Sequence, residues 1–578
     1  MIAPGFPRVS RGALTTLIVL TACAGPATPP AIAIGPSLAA PTGPSEATAS
    51  PPAAATSITI LHTNDVHSRF YPVRGKGEPP LGGVAQTKTL VDRVREERRG
   101  SLVLLFDGGD FAQGTLFYDV WHGSAEIMAK NALGYDALVL GNHQFDEGVA
   151  SLARSLRGGP LEVLGETRST EAATMPIVVS NLDVSREPAL AGLVVRRAVV
   201  ERDGIRVGVV GAVTEQLSEI SNTGVNLKVE DTVASVQREV DVLTSQGLDK
   251  IVMLSHSGTK VDLANAEKLR GIDVIVSGHD HALFGDARAL AETGLPQQAT
   301  RVKATYPVPV KGKDGRTTLV VSASEWGRFV GRLDVTFNAG GEIEDGHWSG
   351  GPIAVREDTY PPDPEMVARL APYARMVERV GSVRIGTAAV PLLANETAES
   401  TLGDVAADGM LAVAKSRGAV AAIAEGDFRA GIDEGPVTYE AVYEAMPFRV
   451  PIVVVELTGA EVEATLRHGF GLGGSIPQVA GFVLKVRPKG TAFEITSLTL
   501  RGKPVGKMAR VRIAVDEYLA QGGDGYVVLK QACDRARQGL GFCEKLAMDV
   551  TEAIATEIKA HSPVVRKVGE RIVKVPWR

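Results

Sequence analysis

Five short apolar runs, each breaking off into a small set of Asp, Asn or His residues, constrain this chain more than anything else in it. Ile58-Thr59-Ile60-Leu61 leads into Asp65-Val66-His67, and Leu102-Val103-Leu104-Leu105-Phe106 into Asp107-Gly108-Gly109-Asp110. Ala137-Leu138-Val139-Leu140 leads into Gly141-Asn142-His143-Gln144-Phe145-Asp146, Ile251-Val252-Met253-Leu254 into Ser255-His256, and the run 272–276 into Gly278-His279-Asp280-His281. Apolar runs of this length, bounded by Gly and polar residues, are the pattern of buried strands. Laid side by side in parallel, such strands end on one edge, where α/β sheets bind their ligands. Asp, His and Asn side chains would then converge on one pocket.

Amphipathic stretches separate the runs. Residues 85–98 place Leu90, Val91 and Val94 at helical spacing, and residues 233–243 form another such stretch. Alternation of strand and helix predicts an α/β domain over 57–345. Residues 346–380 are a linker ending in a helix from Pro364, with Met366, Val367, Leu370, Tyr373 and Val377 apolar. A second mixed α/β domain follows over 381–578. A length of 578 residues requires more than one core in any case. A net charge of −6 leaves no basic footprint for nucleic acid.

The amino terminus reads as an export signal. Arg8 and Arg11 precede an apolar segment, 13–22, too short to span a bilayer, and then Cys23. Leu20-Thr21-Ala22-Cys23 resembles the lipobox of bacterial lipoproteins, with residues 1–23 the signal and Cys23 the lipid anchor to the membrane; a signal peptide cut elsewhere is the other reading. Residues 24–56, rich in Ala, Pro, Ser and Thr, form a tether that cannot bury a core. The expected location is the periplasm or cell surface of a bacterium. In an exported protein, Cys533 and Cys543 suggest one disulfide, with two reduced thiols the alternative.

Seven candidate metal ligands sit at the run ends: Asp65, His67, Asp110, Asn142, His256, His279 and His281. Imidazole and carboxylate donors without thiolate suit Zn, Mn or Fe at an open catalytic site. Seven donors exceed one ion's needs, and two ions sharing a carboxylate fit better. His143 and Asp146 then remain to stabilise charge on a phosphoryl group or to protonate a leaving oxygen.

In order along the chain, Ile60-Leu61-His62-Thr63-Asn64-Asp65-Val66-His67, Gly108-Gly109-Asp110, Gly141-Asn142-His143-Gln144-Phe145-Asp146, Ser255-His256 and Gly278-His279-Asp280-His281 resemble the motif series of the 5'-nucleotidase family of calcineurin-like metallophosphoesterases. The resemblance implies a four-layer α/β/β/α first domain, a linking helix and a C-terminal substrate-specificity domain. It implies that Asp65, His67, Asp110 and His281 hold one divalent metal, and Asp110, Asn142, His256 and His279 the other. His143 and Asp146 would be the catalytic dyad, a metal-activated water the nucleophile, and Asp107 structural. In the second domain it implies Phe448 and Tyr518 as the two faces stacking a nucleobase, Asp524 on the ribose and Arg429 on phosphate.

Two departures stand out against the family pattern. Ala424-Glu425-Gly426-Asp427-Phe428-Arg429 replaces an Asn-x-Gly-Gly-Ile-Arg loop, and Ala398 stands where many relatives carry a further Arg. The expected activity is phosphate release from nucleotides, nucleoside 5'-monophosphates first. A 2',3'-cyclic phosphodiesterase with 3'-nucleotidase activity, a UDP-sugar hydrolase, a thiosulfohydrolase-like enzyme and a non-catalytic surface binding protein are the alternatives.

Overall fold

The computed structural model describes residues 56–576 except 76, 203, 396, 425–427 and 473–475; at 74 and 75 it describes backbone alone. The expected signal, the Cys23 anchor and the tether up to residue 55 lie outside the described residues. No helix among the described residues is long and apolar enough to cross a membrane.

The five runs do not share one sheet, as a side-by-side arrangement would have it. Thr56–Thr63, Leu102–Asp107 and the short strand Ala137–Leu138 are parallel neighbours in a seven-stranded sheet. Ile251–His256 and Val274–Ser277 are parallel neighbours in a six-stranded sheet with Ile205–Val213 and Thr317–Val321. A continuous apolar run fixes burial on both faces but not the identity of the neighbouring strand, so the division was not readable from the runs.

Side-chain alternation shows how the sheets stack. Val252, Leu254, Val274, Val276, Leu319 and Val321 of the second sheet join the core of the first, with Ile58, Ile60 and Leu104. The alternate residues Val210, Ile251, Met253, Ile275 and Val320 pack instead on Val236, Val240 and Leu243 of the helix Thr232–Ser245. On the far side, the helix Val84–Glu97 buries Leu90, Val91 and Val94 as its spacing predicts. The order is helix, sheet, sheet, helix, and the loops after both parallel sets meet at one rim.

The helix expected after residue 364 runs Pro364–Gly381, its N-terminus capped by Asp363, whose carboxylate accepts from the Met366 N–H at 2.8 Å. It lies against the first helical layer, where Trp121 Nε1 donates to the Tyr373 carbonyl at 3.1 Å. Beyond it, a five-stranded sheet centred on Arg510–Asp516 carries Thr401–Ala414 and Val550–Ala560 on one side, and Gly459–Gly471 and Val527–Arg537 on the other. Cys533 and Cys543 form a disulfide, so of the two readings of these thiols the structure has the paired one.

Candidate metal centre and substrate cleft

The ligand loops are held in conformations that L-residues seldom adopt. Asp65, His67, Asp110 and His281 have φ of 52°, 52°, 46° and 55°, and His279 has φ of 91°. Such backbone clusters at functional sites because the surrounding structure must enforce it. Here the Asp65 N–H donates to the Gly109 carbonyl at 2.9 Å and the His67 N–H to the Asp110 carbonyl at 2.9 Å. The His279 N–H donates to Asp65 Oδ1 at 3.0 Å, tying the two sheets' loops together. Glycine is required where they touch: a Cβ on Gly109 would lie 2.6 Å from His256 Nδ1, and one on Gly278 would lie 2.5 Å from the Gly108 carbonyl.

Among the described residues, three groups of ligand atoms each gather within 4.8 Å: Asp65, His67 and His281; Asp110, His256 and His279; and His67, Asp110 and His143. The first two fall within the ligand sets expected from the resemblance. His67 Nε2 and His281 Nε2 are 3.0 Å apart, and His281 Nε2 is 3.7 Å from Asp65 Oδ1. His256 donates from Nδ1 to the Gly108 carbonyl at 2.8 Å, which turns Nε2 toward Asp110 Oδ2, 2.9 Å away. By hydrogen-bond geometry that Nε2 and Asn142 Oδ1 are buried polar atoms without a partner among the described residues. Two orphaned electron-pair donors beside two carboxylates are what a divalent cation satisfies, so the residues fit a metal.

Charge at the cluster follows the same logic. Burial lowers His279 and His281 to about 4 and His67 well below the ordinary imidazole value, so these rings are neutral donors at pH 7. Burial pushes Asp65 up to about 8. Burial would lower His256, but Asp110 and Asp65 raise it to about 9; burial would raise Asp110, but His256 and His143 hold it well below the carboxylate range. To serve as a metal ligand His256 would have to give up its Nε2 proton, so loading of the site would be favoured as pH rises.

His143 opens the short 3₁₀ turn His143–Phe145, and its Nδ1 lies 2.7 Å from Asp146 Oδ2. Burial would lower this imidazole, but the carboxylates of Asp146 and Asp110 raise it above its ordinary value. Ser221 Oγ donates to Asp146 Oδ1 at 3.0 Å and fixes the carboxylate. With Nδ1 engaged, Nε2 faces the cluster, 4.0 Å from Asp110 Oδ2. The pair can donate a proton or hold positive charge beside a phosphoryl group.

Beneath these loops lies Asp107, expected to be structural, with Lys130 as a partner that the motifs did not point to. Asp107 Oδ2 receives Lys130 Nζ at 2.5 Å and Thr63 Oγ1 at 2.6 Å, while its Oδ1 accepts the Gly109 N–H at 3.0 Å. Lys130 and Glu126 are two charges in the otherwise mainly apolar stretch 125–133, and the structure buries both. Ser221 carried no signal.

From the second part of the chain, the structure brings Arg429 and Phe448 to the histidines. The Phe448 ring centroid lies 6.0 Å from that of His143, and the Arg429 guanidinium stands 5.2 Å from the Phe448 centroid. The charge of Arg429 acts to lower His67, His143 and His281. Tyr518 and Asp524 form a pair of their own at the margin of the second core, Tyr518 Oη donating to Asp524 Oδ1 at 2.9 Å. Residues 425–427 of the altered loop lie outside the described residues; Ala398 offers its carbonyl to Gln478 Nε2 at 3.1 Å.

Comparison with known proteins agrees with this geometry. The family description "Calcineurin-like phosphoesterase" matches residues 58–283, and "5'-nucleotidase, C-terminal domain" matches 384–531. A trifunctional nucleotide phosphoesterase of Bacillus subtilis is 31% identical over 509 residues, which are 82% of this chain; the chain spans only 32% of that longer protein. The 5'-nucleotidase of Homo sapiens is 30% identical over 525 residues, covering 85% of this chain and 87% of that protein. Among solved structures, a 5'-nucleotidase precursor from Thermus thermophilus superposes with a TM-score of 0.77 at 33% identity, over 90% of this chain and 99% of that one.

Proposed function

Given that the chain belongs to the 5'-nucleotidase family of calcineurin-like metallophosphoesterases, and is a metal-dependent phosphoester hydrolase, we propose that it removes phosphate from nucleoside 5'-monophosphates. The observation that carries the reading is that Phe448 from the second part stands 6.0 Å from His143, with the Arg429 guanidinium against its ring, and His143 itself lies with His67 and Asp110 among the candidate ligands. A phosphoester with a flat base on its far side fits that pairing.

We assign Asp65, His67, Asp110 and His281 to one divalent ion, and Asp110, Asn142, His256 and His279 to a second. Bound there, such ions would supply Lewis acidity to the phosphoryl oxygens and would lower the pKa of the attacking water. His143, whose pKa the Asp146 carboxylate raises, holds charge on the phosphoryl group and gives the leaving oxygen its proton. Arg429 clamps a phosphoryl oxygen by charge-assisted hydrogen bonds. Phe448 offers a stacking face worth about 1 to 3 kcal/mol, with little choice among bases. Tyr518 supplies the second face, and Asp524 accepts from the ribose hydroxyls. Domains at 57–345 and 381–578 joined by 346–380, and export with a lipid anchor at Cys23, complete the proposal.

The test is phosphate release from AMP, UMP, 3'-AMP, 2',3'-cyclic AMP and UDP-glucose with added Mn or Zn, for wild type and His143→Ala. Release from AMP or UMP that a chelator abolishes and His143→Ala loses, with metal content unchanged, is the expected result. Preference for the cyclic or 3' ester would move the assignment to the phosphodiesterase reading, which the altered phosphate loop leaves open. No release from any of them would overturn the nucleotide reading.

A further inference from the structure

The segment that carries Phe448 is gripped from the first part of the chain as well as from its own. On its own side, Thr551 Oγ1 donates to the Met446 carbonyl at 2.6 Å, and the Val550 N–H to the Val450 carbonyl at 3.1 Å. From the other side, Gln113 Nε2 donates to the Pro447 carbonyl at 3.1 Å, and Arg449 Nη1 lies 3.2 Å from Asp119 Oδ1. Arg69 Nη1 lies 2.6 Å from Glu444 Oε1.

Gln113 is the unusual member. It stands three residues after Asp110, is 3% exposed, and has φ of 71°. Its neighbour Gly114 has φ of 118° and approaches the His67 backbone so closely that a Cβ would lie 2.9 Å from the His67 carbonyl. Thr115 Oγ1 then donates to the Ser68 carbonyl at 2.8 Å. The stretch 110–115 is thus pressed against the loop holding Asp65 and His67, and its strained residue directs a buried amide at the backbone immediately before Phe448. Glutamine in a left-handed conformation persists only where its surroundings over-determine it.

We propose that Gln113, together with the Asp119–Arg449 ion pair on the same segment, is a substrate-positioning residue that fixes the distance between Phe448 and the metal ligands. It thereby sets the preference for phosphoesters that carry a base. This rests on the nucleotide reading of the site. Gln113 touches no reacting atom; it acts through the Pro447 carbonyl, and losing that bond frees the Phe448 ring to shift away from His143. An ester without a base gains nothing from the ring and is indifferent to the change.

The experiment compares AMP with ribose 5-phosphate, the same ester without the base, on the full chain loaded with Mn. Gln113→Gly removes the amide while accepting the positive φ without strain. The expected result is a rise in KM for AMP of about fivefold, the worth of one buried hydrogen bond. Under the same conditions kcat/KM for ribose 5-phosphate should stay within about twofold of wild type. Asp119→Asn, which weakens the outer contact and leaves the backbone alone, should move KM for AMP in the same direction and serves if Gln113→Gly does not fold. Equal losses on both esters, or no change on either, overturn the assignment. Wild-type protein that releases no phosphate from AMP overturns the nucleotide reading instead, so the two failures are distinct.

Discussion

Lys130→Met would test how the ligand loops are supported. Lys130 is 4% exposed and Asp107 fully buried, with Nζ 2.5 Å from Oδ2. Burial would lower this ammonium's pKa, but Asp107 and the Tyr135 ring, 4.2 Å from Nζ, raise it, so it is charged at neutral pH. Methionine keeps the stem volume and opens no large cavity. It leaves a buried carboxylate with only the Thr63 hydroxyl and the Gly109 N–H as donors. Breaking one side of a buried pair costs about 3 to 5 kcal/mol. At roughly 2 °C or more per kcal/mol for a domain of this size, melting should fall by on the order of 10 °C. Calorimetry of the purified chain reads this directly. The double variant Lys130→Met with Asp107→Asn, neutral on both sides, should recover more than half the loss. A single variant that loses less than about 1 kcal/mol, or a double variant worse than the single, would refute the argument.

Two further outcomes are expected. His122 lies 2.8 Å from Glu147 Oε2; burial would lower its pKa, but the hydrogen bond and charge of Glu147 raise it. A raised folded pKa means a contribution fully present below about 6.5 and lost as pH rises through the folded value. The melting difference between wild type and His122→Ala should therefore be larger at pH 5.5 than at pH 8.5, and a difference that grows with pH would contradict it. Replacing both Cys533 and Cys543 by Ser opens a loop of 10 residues and should lower stability by about 2 to 3 kcal/mol in denaturant titrations; an unchanged midpoint would show that the bridge does not restrain the unfolded chain.

What the sequence made legible divides by the range of the interaction. Asp65, Asp110, His256 and His279 are readable because each follows an apolar run, and a buried strand must deliver its next polar residue to a rim. Phe448 and Arg429 had no such local signal: a lone aromatic residue in a loop carries no period, and only the resemblance pointed to them. Lys130 and Asp107 sit 23 positions apart and Arg449 and Asp119 sit 330 apart, so their pairing depends on packing that no window of sequence contains.

The contacts that were not legible are also the ones that make the legible residues useful. Each ligand in a left-handed conformation costs on the order of 1 kcal/mol, less for Asp than for bulkier residues, and five such residues sit in these loops. The offset comes from the Asp65 and His67 N–H bonds to the Gly109 and Asp110 carbonyls, and from the Gly109 N–H held by Asp107. Asp107 in turn is paired in the core with Lys130, which lies against it. Gly141 closes the arrangement: a Cβ there would sit 2.1 Å from Asp110 Oδ1, so the strand end that delivers Asn142 and His143 can approach the central carboxylate only as glycine. The rim is therefore organised by a buried ion pair and a few bare backbone positions, and the histidines take their geometry from it.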